Sequence, residues 1–117
     1  MKNTMAMIQS LVRALLLASL LGSATVSNAA DIQAGASKAK EVCQACHGMD
    51  GNSTVPDYPK LAGQRPDYLA KALRDYKSGA RKNAIMAGFA GTLSTADIEN
   101  VAAYYSAQAP VLYVKGH

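Results

Sequence analysis

Apolar residues recur at helical spacing in three stretches of the chain, and no stretch shows the strict alternation that is typical of a strand. In the first stretch, Asp31 can cap a helix that runs through Ala39 and Val42. The apolar residues of this helix are small. Gly35 in its interior costs up to about 1 kcal/mol against alanine, so we expect a packing reason for this glycine.

Two further helices are predicted downstream, each with its own start and stop signals. The first begins near Pro66, a favourable first-turn residue, and ends at Gly79 as a C-cap. The second opens at Ser94, with Asp97 three residues on in a capping-box-like arrangement, and is stopped by Pro110. Each has a one-sided apolar stripe, formed by Tyr68, Leu69, Ala72, Leu73 and Tyr76 in the first and by Ile98, Val101, Ala102 and Tyr105 in the second.

The stretches between these helices are predicted to be loops. The segment from Gly51 to Gly63 is rich in Gly, Pro, Ser and Asn, and a structureless loop of this length is unusual in a compact domain unless it wraps a cofactor. Residues 83–91 are rich in glycine and are also predicted to be a loop. No element is assigned to the tail after Pro110. The pattern therefore predicts an all-α fold with three to four helices and a long loop.

The start of the chain is typical of a secretory signal. Lys2 and Arg13 precede an uncharged apolar run, and the small residues of Ser27-Asn28-Ala29 follow it. We expect residues 1–29 to be removed after Ala29, so that the working protein is periplasmic. A retained membrane anchor is the alternative, but a spanning helix needs about 20 apolar residues, and this run is too short and too rich in serine, glycine and threonine.

The composition of the remaining segment, residues 30–117, excludes some functions. The whole chain has 12 basic and 8 acidic residues, and removal of Lys2 and Arg13 leaves ten basic residues, which is not a nucleic-acid-binding balance. The length allows one domain, and a domain of this size has a thin core. Since there is no Trp and the only Phe is Phe89, a cofactor could supply the missing apolar bulk.

The two cysteines of the chain form the sequence Cys43-Gln44-Ala45-Cys46-His47, which has the C-x-x-C-H spacing of c-type haem attachment. Two thiols about one helical turn apart can form thioethers to the two vinyl groups of one haem, and the next residue then places its imidazole beneath the iron. The motif predicts one haem c, attached covalently through Cys43 and Cys46, with His47 as an iron ligand.

Three other interpretations of these cysteines were weighed. A thioredoxin-like redox pair would need a βαβ context, and the chain has no strand pattern. A structural zinc site needs four ligands, and the only other histidine is the last residue, His117. A plain disulfide remains possible, but it leaves His47 unexplained.

The other face of the iron has one favoured ligand and several rivals. Met49 follows His47 by two residues and cannot reach the opposite side of a haem, whereas Met86 lies far downstream in the glycine-rich segment. Met86 is therefore the predicted second axial ligand. The alternatives are that Met86 only fills the core, or that Lys82 or His117 binds the iron instead.

These features together resemble the class I c-type cytochromes, specifically the small bacterial monohaem type. The resemblance covers Asp31 to about Gln108 and implies that family's fold around one covalent haem. It is carried by the haem motif and by further positions along the chain. Gly35 stands where the family has a glycine that packs on the C-terminal helix, and Tyr104 stands at the aromatic position expected to meet it. Pro59, 12 residues after His47, stands where a proline carbonyl faces the proximal histidine.

The resemblance implies a periplasmic electron carrier. With both axial positions filled, by His47 and Met86, the iron has no open site, which argues for outer-sphere transfer and against an enzyme with a small-molecule substrate. The expected partners are redox proteins, such as a respiratory complex, a terminal oxidase or reductase, or a dehydrogenase, and the protein itself is expected to be a monomer. The alternative function is a haem-bearing electron-transfer subunit of a periplasmic dehydrogenase complex.

Overall fold

The computed structural model describes residues 4–9, which are helical, and residues 29–111. The second range contains five helices: α1 (Ile32–Val42), α2 (Gln44–His47), α3 (Pro66–Ser78), α4 (Ala84–Gly91) and α5 (Thr95–Ser106). No strand occurs in either described range, in agreement with the predicted all-α class. Ser27 and Asn28 of the predicted cleavage site, and the apolar run before them, lie outside these ranges. Among the helices described, none is long and apolar enough to cross a membrane.

The predicted caps at Asp31, Gly79 and Ser94 are confirmed, whereas α5 ends at Ser106, four residues before the predicted stop at Pro110. The Asp31 side chain accepts from the backbone N–H of Gln33 at 2.9 Å and starts α1. Ser94 and Asp97 form a complete capping box at the start of α5. Gly79 ends α3 in the left-handed region, with φ +79°, where glycine carries no steric penalty.

The prediction of a loop over residues 83–91 was wrong, because this segment forms the eight-residue helix α4. Its glycines, Gly88 and Gly91, lower helix propensity, and its almost wholly apolar sequence has no polar face to reveal a helical period. The Asn83 side chain caps it by accepting from the backbone N–H of Met86 at 2.9 Å. Packing of α4 against α3 supplies the rest of its stability.

The core lies where α5 crosses α1 and α3. It consists of small and medium-sized apolar side chains together with one tyrosine: Ala39, Leu69, Ala70, Leu93, Ile98, Val101, Ala102 and Tyr105. Tyr105 is the one aromatic side chain in this cluster, so aromatic residues fill little of the interior of the described domain.

Gly35 allows α1 and α5 to touch. A Cβ atom at Gly35 would lie 2.1 Å from the backbone oxygen of Asn100 and 3.0 Å from Cβ of Tyr104. The expected packing reason for the glycine is therefore confirmed, and Tyr104 is the aromatic residue that meets it. The Asn100 side chain adds a second tie by accepting from the backbone N–H of Asp31 at 2.7 Å.

The loop between α2 and α3 is long, as predicted, and its ends are held together. The carbonyl oxygen of Gly51 accepts from the backbone N–H groups of Leu61, at 2.8 Å, and Ala62, at 3.1 Å. The Asn52 side chain accepts from the backbone N–H of Val111 at 2.7 Å. The chain after α5 therefore lies against this loop up to residue 111, and residues 112–117 are outside the described part of the chain.

Candidate haem-binding site

The two cysteines and the histidine of the motif lie on consecutive turns at the end of α1. The Cys43 N–H donates to the Ala39 carbonyl at 2.9 Å, and the His47 N–H donates to the Cys43 carbonyl at 3.0 Å. Both cysteines are free thiols in the structure. His47 is buried, with 7% of its surface exposed. Because α1 is anchored to α5, this short segment presents all three side chains from a fixed base.

His47 and Pro59 are in contact, as the family resemblance implied. Nδ1 of His47 lies 2.9 Å from the carbonyl oxygen of Pro59. Since a carbonyl oxygen can only accept, Nδ1 carries the proton and Nε2 keeps a free lone pair. An imidazole held in this way has a fixed ring orientation and a more basic free nitrogen. Binding of iron by His47 stays a prediction.

Two adjoining clefts, of about 130 and 320 Å³, open beside His47. Both are lined by Cys43, His47, Pro59 and Met86, and the larger is also lined by Cys46. The structure thus brings all five predicted site residues to the walls of one region. Its remaining walls come mainly from α3, α4, α5 and the loop between α2 and α3.

The two other candidate iron ligands that the structure describes do not line the clefts. Met49 lines neither cleft, and its carbonyl oxygen accepts from the Tyr104 hydroxyl at 2.8 Å. Lys82 is exposed and lines neither cleft. His117 lies outside the described residues. Among the candidates that the structure describes, Met86 is the one that shares a cleft with His47.

The chemistry of the cleft walls fits a haem. The combined space is within the range of about 300–1,000 Å³ that is usual for ligand sites, and most of its lining is apolar. Polar side chains suited to the two propionate groups of a haem lie along the smaller cleft: Lys60, Gln64, Tyr68 and Arg81. The guanidinium of Arg81 is also held over the Tyr76 ring, 4.8 Å from its centroid.

Sequence reasoning did not identify Lys60, Gln64 or Arg81 as site residues, and it placed Tyr68 only in the apolar stripe of α3. All five residues of that stripe line the clefts. A lipophilic stripe on a helix has the same period whether it covers a side-chain core or a cofactor. The signal that could have separated the two is the scarcity of large aromatic partners for it elsewhere in the chain.

Burial raises the pKa of the Cys43 thiol to about 11. A thioether carries no charge, so it suits this buried position. In the part of the chain that the structure describes, no group of three or more His, Cys, Asp or Glu side chains could hold a zinc ion.

Comparison with known proteins agrees with this geometry. The family described as "Cytochrome C oxidase, cbb3-type, subunit III" matches residues 30–104. The chain is 50% identical over 78 residues to cytochrome c4 of Thiocapsa roseopersicina, covering 67% of this chain and 40% of that relative. It is 45% identical over 83 residues to cytochrome c-554(548) of Halomonas halodenitrificans, covering 68% of this chain and 99% of that relative.

Two other similarities bear on function. The chain is 46% identical over 69 residues to the thiosulfate dehydrogenase electron acceptor of Thiomonas intermedia, covering 58% of this chain and 32% of that relative. The crystal structure of reduced recombinant cytochrome c4 from Pseudomonas stutzeri superposes with a TM-score of 0.67 at 45% identity, covering 72% of this chain and 48% of that chain. The chain spans about two fifths of the length of the cytochromes c4 that it matches.

Proposed function

Because the chain belongs to the cytochrome c family, we propose that it carries single electrons between redox proteins at a haem c bound by His47 and Met86. The observation that carries the proposal is the larger cleft, whose lining includes both cysteines, His47 and Met86. The family supports an electron-transfer role in general. The ligand pair, the single haem and the periplasmic location are our proposals.

Each of these residues has a separate task in the proposed site. Thioethers from Cys43 and Cys46 fix the macrocycle to the end of α1, and the Pro59 carbonyl orients the His47 ring. A haem bound there supplies one-electron exchange at its iron. The soft thioether of Met86 favours the reduced iron and so raises the reduction potential. With His47 and Met86 both bound to the iron, no coordination position would be left for a substrate, and electron transfer would be outer-sphere.

The apolar walls serve the same function. Side chains from α3 and α4, such as Leu73 and the buried Ala90, would exclude water from a bound haem. When the iron changes charge, a dry and rigid environment would reorganise little, because few dipoles in it are free to reorient. The Arg81 and Lys60 cations beside the smaller cleft would hold the propionate groups.

A second candidate function, a haem subunit of a dehydrogenase complex, is favoured by the apolar rim of the larger cleft. Ile85 and Phe89 of α4 are 64% and 43% exposed there. Such residues on a permanent subunit are covered by its partner. On gel filtration of a periplasmic extract, a free electron carrier should elute at its own size, whereas a subunit should elute together with the dehydrogenase.

The ligand assignment is tested by Met86→Ala, with Met49→Ala as the matched control. Met86→Ala should keep its covalent haem, since the attachment residues are unchanged, but its reduction potential should fall. Carbon monoxide should bind readily to the reduced variant and poorly to the wild type. The weak near-infrared band of oxidised iron–thioether bonding should be present in the wild type and lost in this variant.

Met49→Ala should leave all three properties as they are in the wild type. Rapid carbon monoxide binding by the wild type would mean that the iron is open. An unchanged potential in Met86→Ala would mean that another residue is the sixth ligand. The first result would replace the electron carrier with a ligand-binding haem protein, and the second would replace Met86 as the proposed ligand.

A further inference from the structure

Tyr105 is the largest fully buried side chain in the described residues, with 1% of its surface exposed. Its hydroxyl donates to the carbonyl oxygen of Gly48 at 3.0 Å. Its own carbonyl oxygen accepts from the backbone N–H of Gly63 at 3.1 Å. Gly48 directly follows His47, and Gly63 ends the segment that contains Pro59. One residue of α5 therefore holds both chain segments that meet in the His47–Pro59 hydrogen bond.

The ring of Tyr105 makes a third contact with the same structure. A Cβ atom at Gly51 would lie 2.8 Å from Cδ1 of Tyr105, so the ring fills the space beneath this glycine. Gly51 itself links the two segments, because its N–H donates to Gly48 at 3.2 Å and its carbonyl oxygen accepts from Leu61 at 2.8 Å. Gly51 and Tyr105 thus each connect the segment that follows His47 to the segment that contains Pro59.

We propose that Tyr105 is a positioning residue that keeps Nδ1–H of His47 bonded to the Pro59 carbonyl. The inference rests on the proposed function, in which His47 binds the iron. Loss of the Tyr105 hydroxyl leaves the Gly48 carbonyl with the 3.2 Å bond from the Gly51 N–H alone and lets the His47 segment move relative to the loop. The His47–Pro59 bond then opens more often. A weaker bond makes His47 a poorer electron donor to oxidised iron, so the reduction potential rises.

The adjacent tyrosine provides a matched control. The Tyr104 hydroxyl also donates to a backbone carbonyl near the motif, that of Met49, at 2.8 Å. The two rings are in edge-to-face contact, 5.1 Å apart. The hydrogen bonds described for Tyr104 involve no residue of the Pro59–Gly63 segment. Tyr104→Phe thus removes a comparable hydroxyl without breaking the link between the two segments.

The test measures hydrogen exchange at Nδ1–H of His47 by NMR, in the reduced holoprotein labelled with ¹⁵N-histidine. In Tyr105→Phe we expect exchange about tenfold faster than in the wild type, the factor that corresponds to loss of one buried hydrogen bond. The amides of α1 should exchange as before, and the potential should rise. In Tyr104→Phe, exchange at Nδ1–H should stay within about twofold of the wild type.

The inference is overturned if exchange at Nδ1–H is unchanged in Tyr105→Phe, or if it accelerates together with the amides of α1, as general loosening would cause. A second variant, with 4-aminophenylalanine at position 105, keeps the ring and a hydrogen-bond donor. Exchange at Nδ1–H should return toward the wild-type rate in this variant, and exchange as fast as in Tyr105→Phe would also overturn the inference.

The wild-type spectrum tests the proposed function separately. His47 ring protons must show the large ring-current shift of a haem ligand. Without that shift His47 is not a ligand, and both proposals fail. With the shift present and no selective acceleration in the variants, only the role of Tyr105 fails.

Discussion

Gly35 shows how a single missing side chain sets the distance between two helices. The nearest atom to a Cβ at this position would be a backbone oxygen, that of Asn100 at 2.1 Å. A backbone atom cannot rotate away as a side chain can, so α5 would have to shift as a whole. The close contact between α1 and α5 therefore requires a glycine at this position, although glycine lowers the helix propensity of α1.

We predict that Gly35→Ala lowers the free energy of unfolding by about 1–3 kcal/mol, the usual cost of overpacking, despite the gain in helix propensity. Denaturant unfolding of the holoprotein measures this. Gly88→Ala in α4 is the control, since nothing lies within 4 Å of its added Cβ, and it should be neutral or stabilising by up to about 1 kcal/mol. Equal stability of Gly35→Ala and the wild type would show that the helices cross less closely.

The residues of the candidate site differ in how far the sequence could predict them. Cys43, Cys46 and His47 were predicted because attachment and proximal ligation are a local chemistry with a fixed spacing. Pro59 was placed by family resemblance alone, since nothing in its neighbourhood indicates a contact with a residue 12 positions earlier. Arg81 was missed because its position beside the cleft depends on how α3 ends and how α4 turns back.

At the scale of the helices, start and stop signals were more informative than apolar periodicity. α1 and α5 begin, and α3 ends, at the predicted residues because Asp31, the Ser94–Asp97 box and Gly79 act through bonds to their near neighbours. α5 ends at Ser106, before the predicted stop at Pro110. α4 was missed because its only local signal is Asn83, while its glycines and uniform apolarity argue for a loop. Its helical state depends on contact with α3, which a local pattern does not record.

The capping box of α5 gives a pH-dependent prediction. The backbone N–H and hydroxyl of Ser94 donate to the Asp97 carboxylate at 2.9 and 2.8 Å and lower its pKa. A carboxyl whose folded pKa is depressed stabilises the protein above its unfolded value, about 3.9, and this stabilisation is lost as pH falls through the folded value. The melting temperature of Asp97→Asn should therefore lie furthest below that of the wild type at neutral pH.

The difference between Asp97→Asn and the wild type should shrink at strongly acidic pH, where both side chains are uncharged. Ser94→Ala, which removes the reciprocal hydroxyl, should cost roughly 1 kcal/mol at neutral pH. A gap between Asp97→Asn and the wild type that stays constant down to acidic pH would mean that the carboxylate charge contributes nothing to the cap.

For the whole molecule, the prediction concerns processing and cofactor content. The cleft is bounded by α3, α4 and α5 and by the motif at the end of α1, so a covalent haem would be the common packing partner of these elements. We expect the mature chain to begin at Ala30 and to carry one haem that acid-acetone does not extract. Intact mass spectrometry of periplasmic protein measures both. An N-terminus at Met1, or an extractable haem, would contradict the proposed export and attachment.

The crossing of α1 and α5 also determines when the molecule can fold during its synthesis. The helix that carries the attachment motif is the first of the described domain to leave the ribosome, and its packing partner is the last. Until Asn100 and Tyr104 have emerged, α1 has no helix to pack against, and a short isolated helix is only marginally stable in water. A nascent chain therefore spends nearly its whole elongation time without its central contact. Its cysteines stay accessible during that interval.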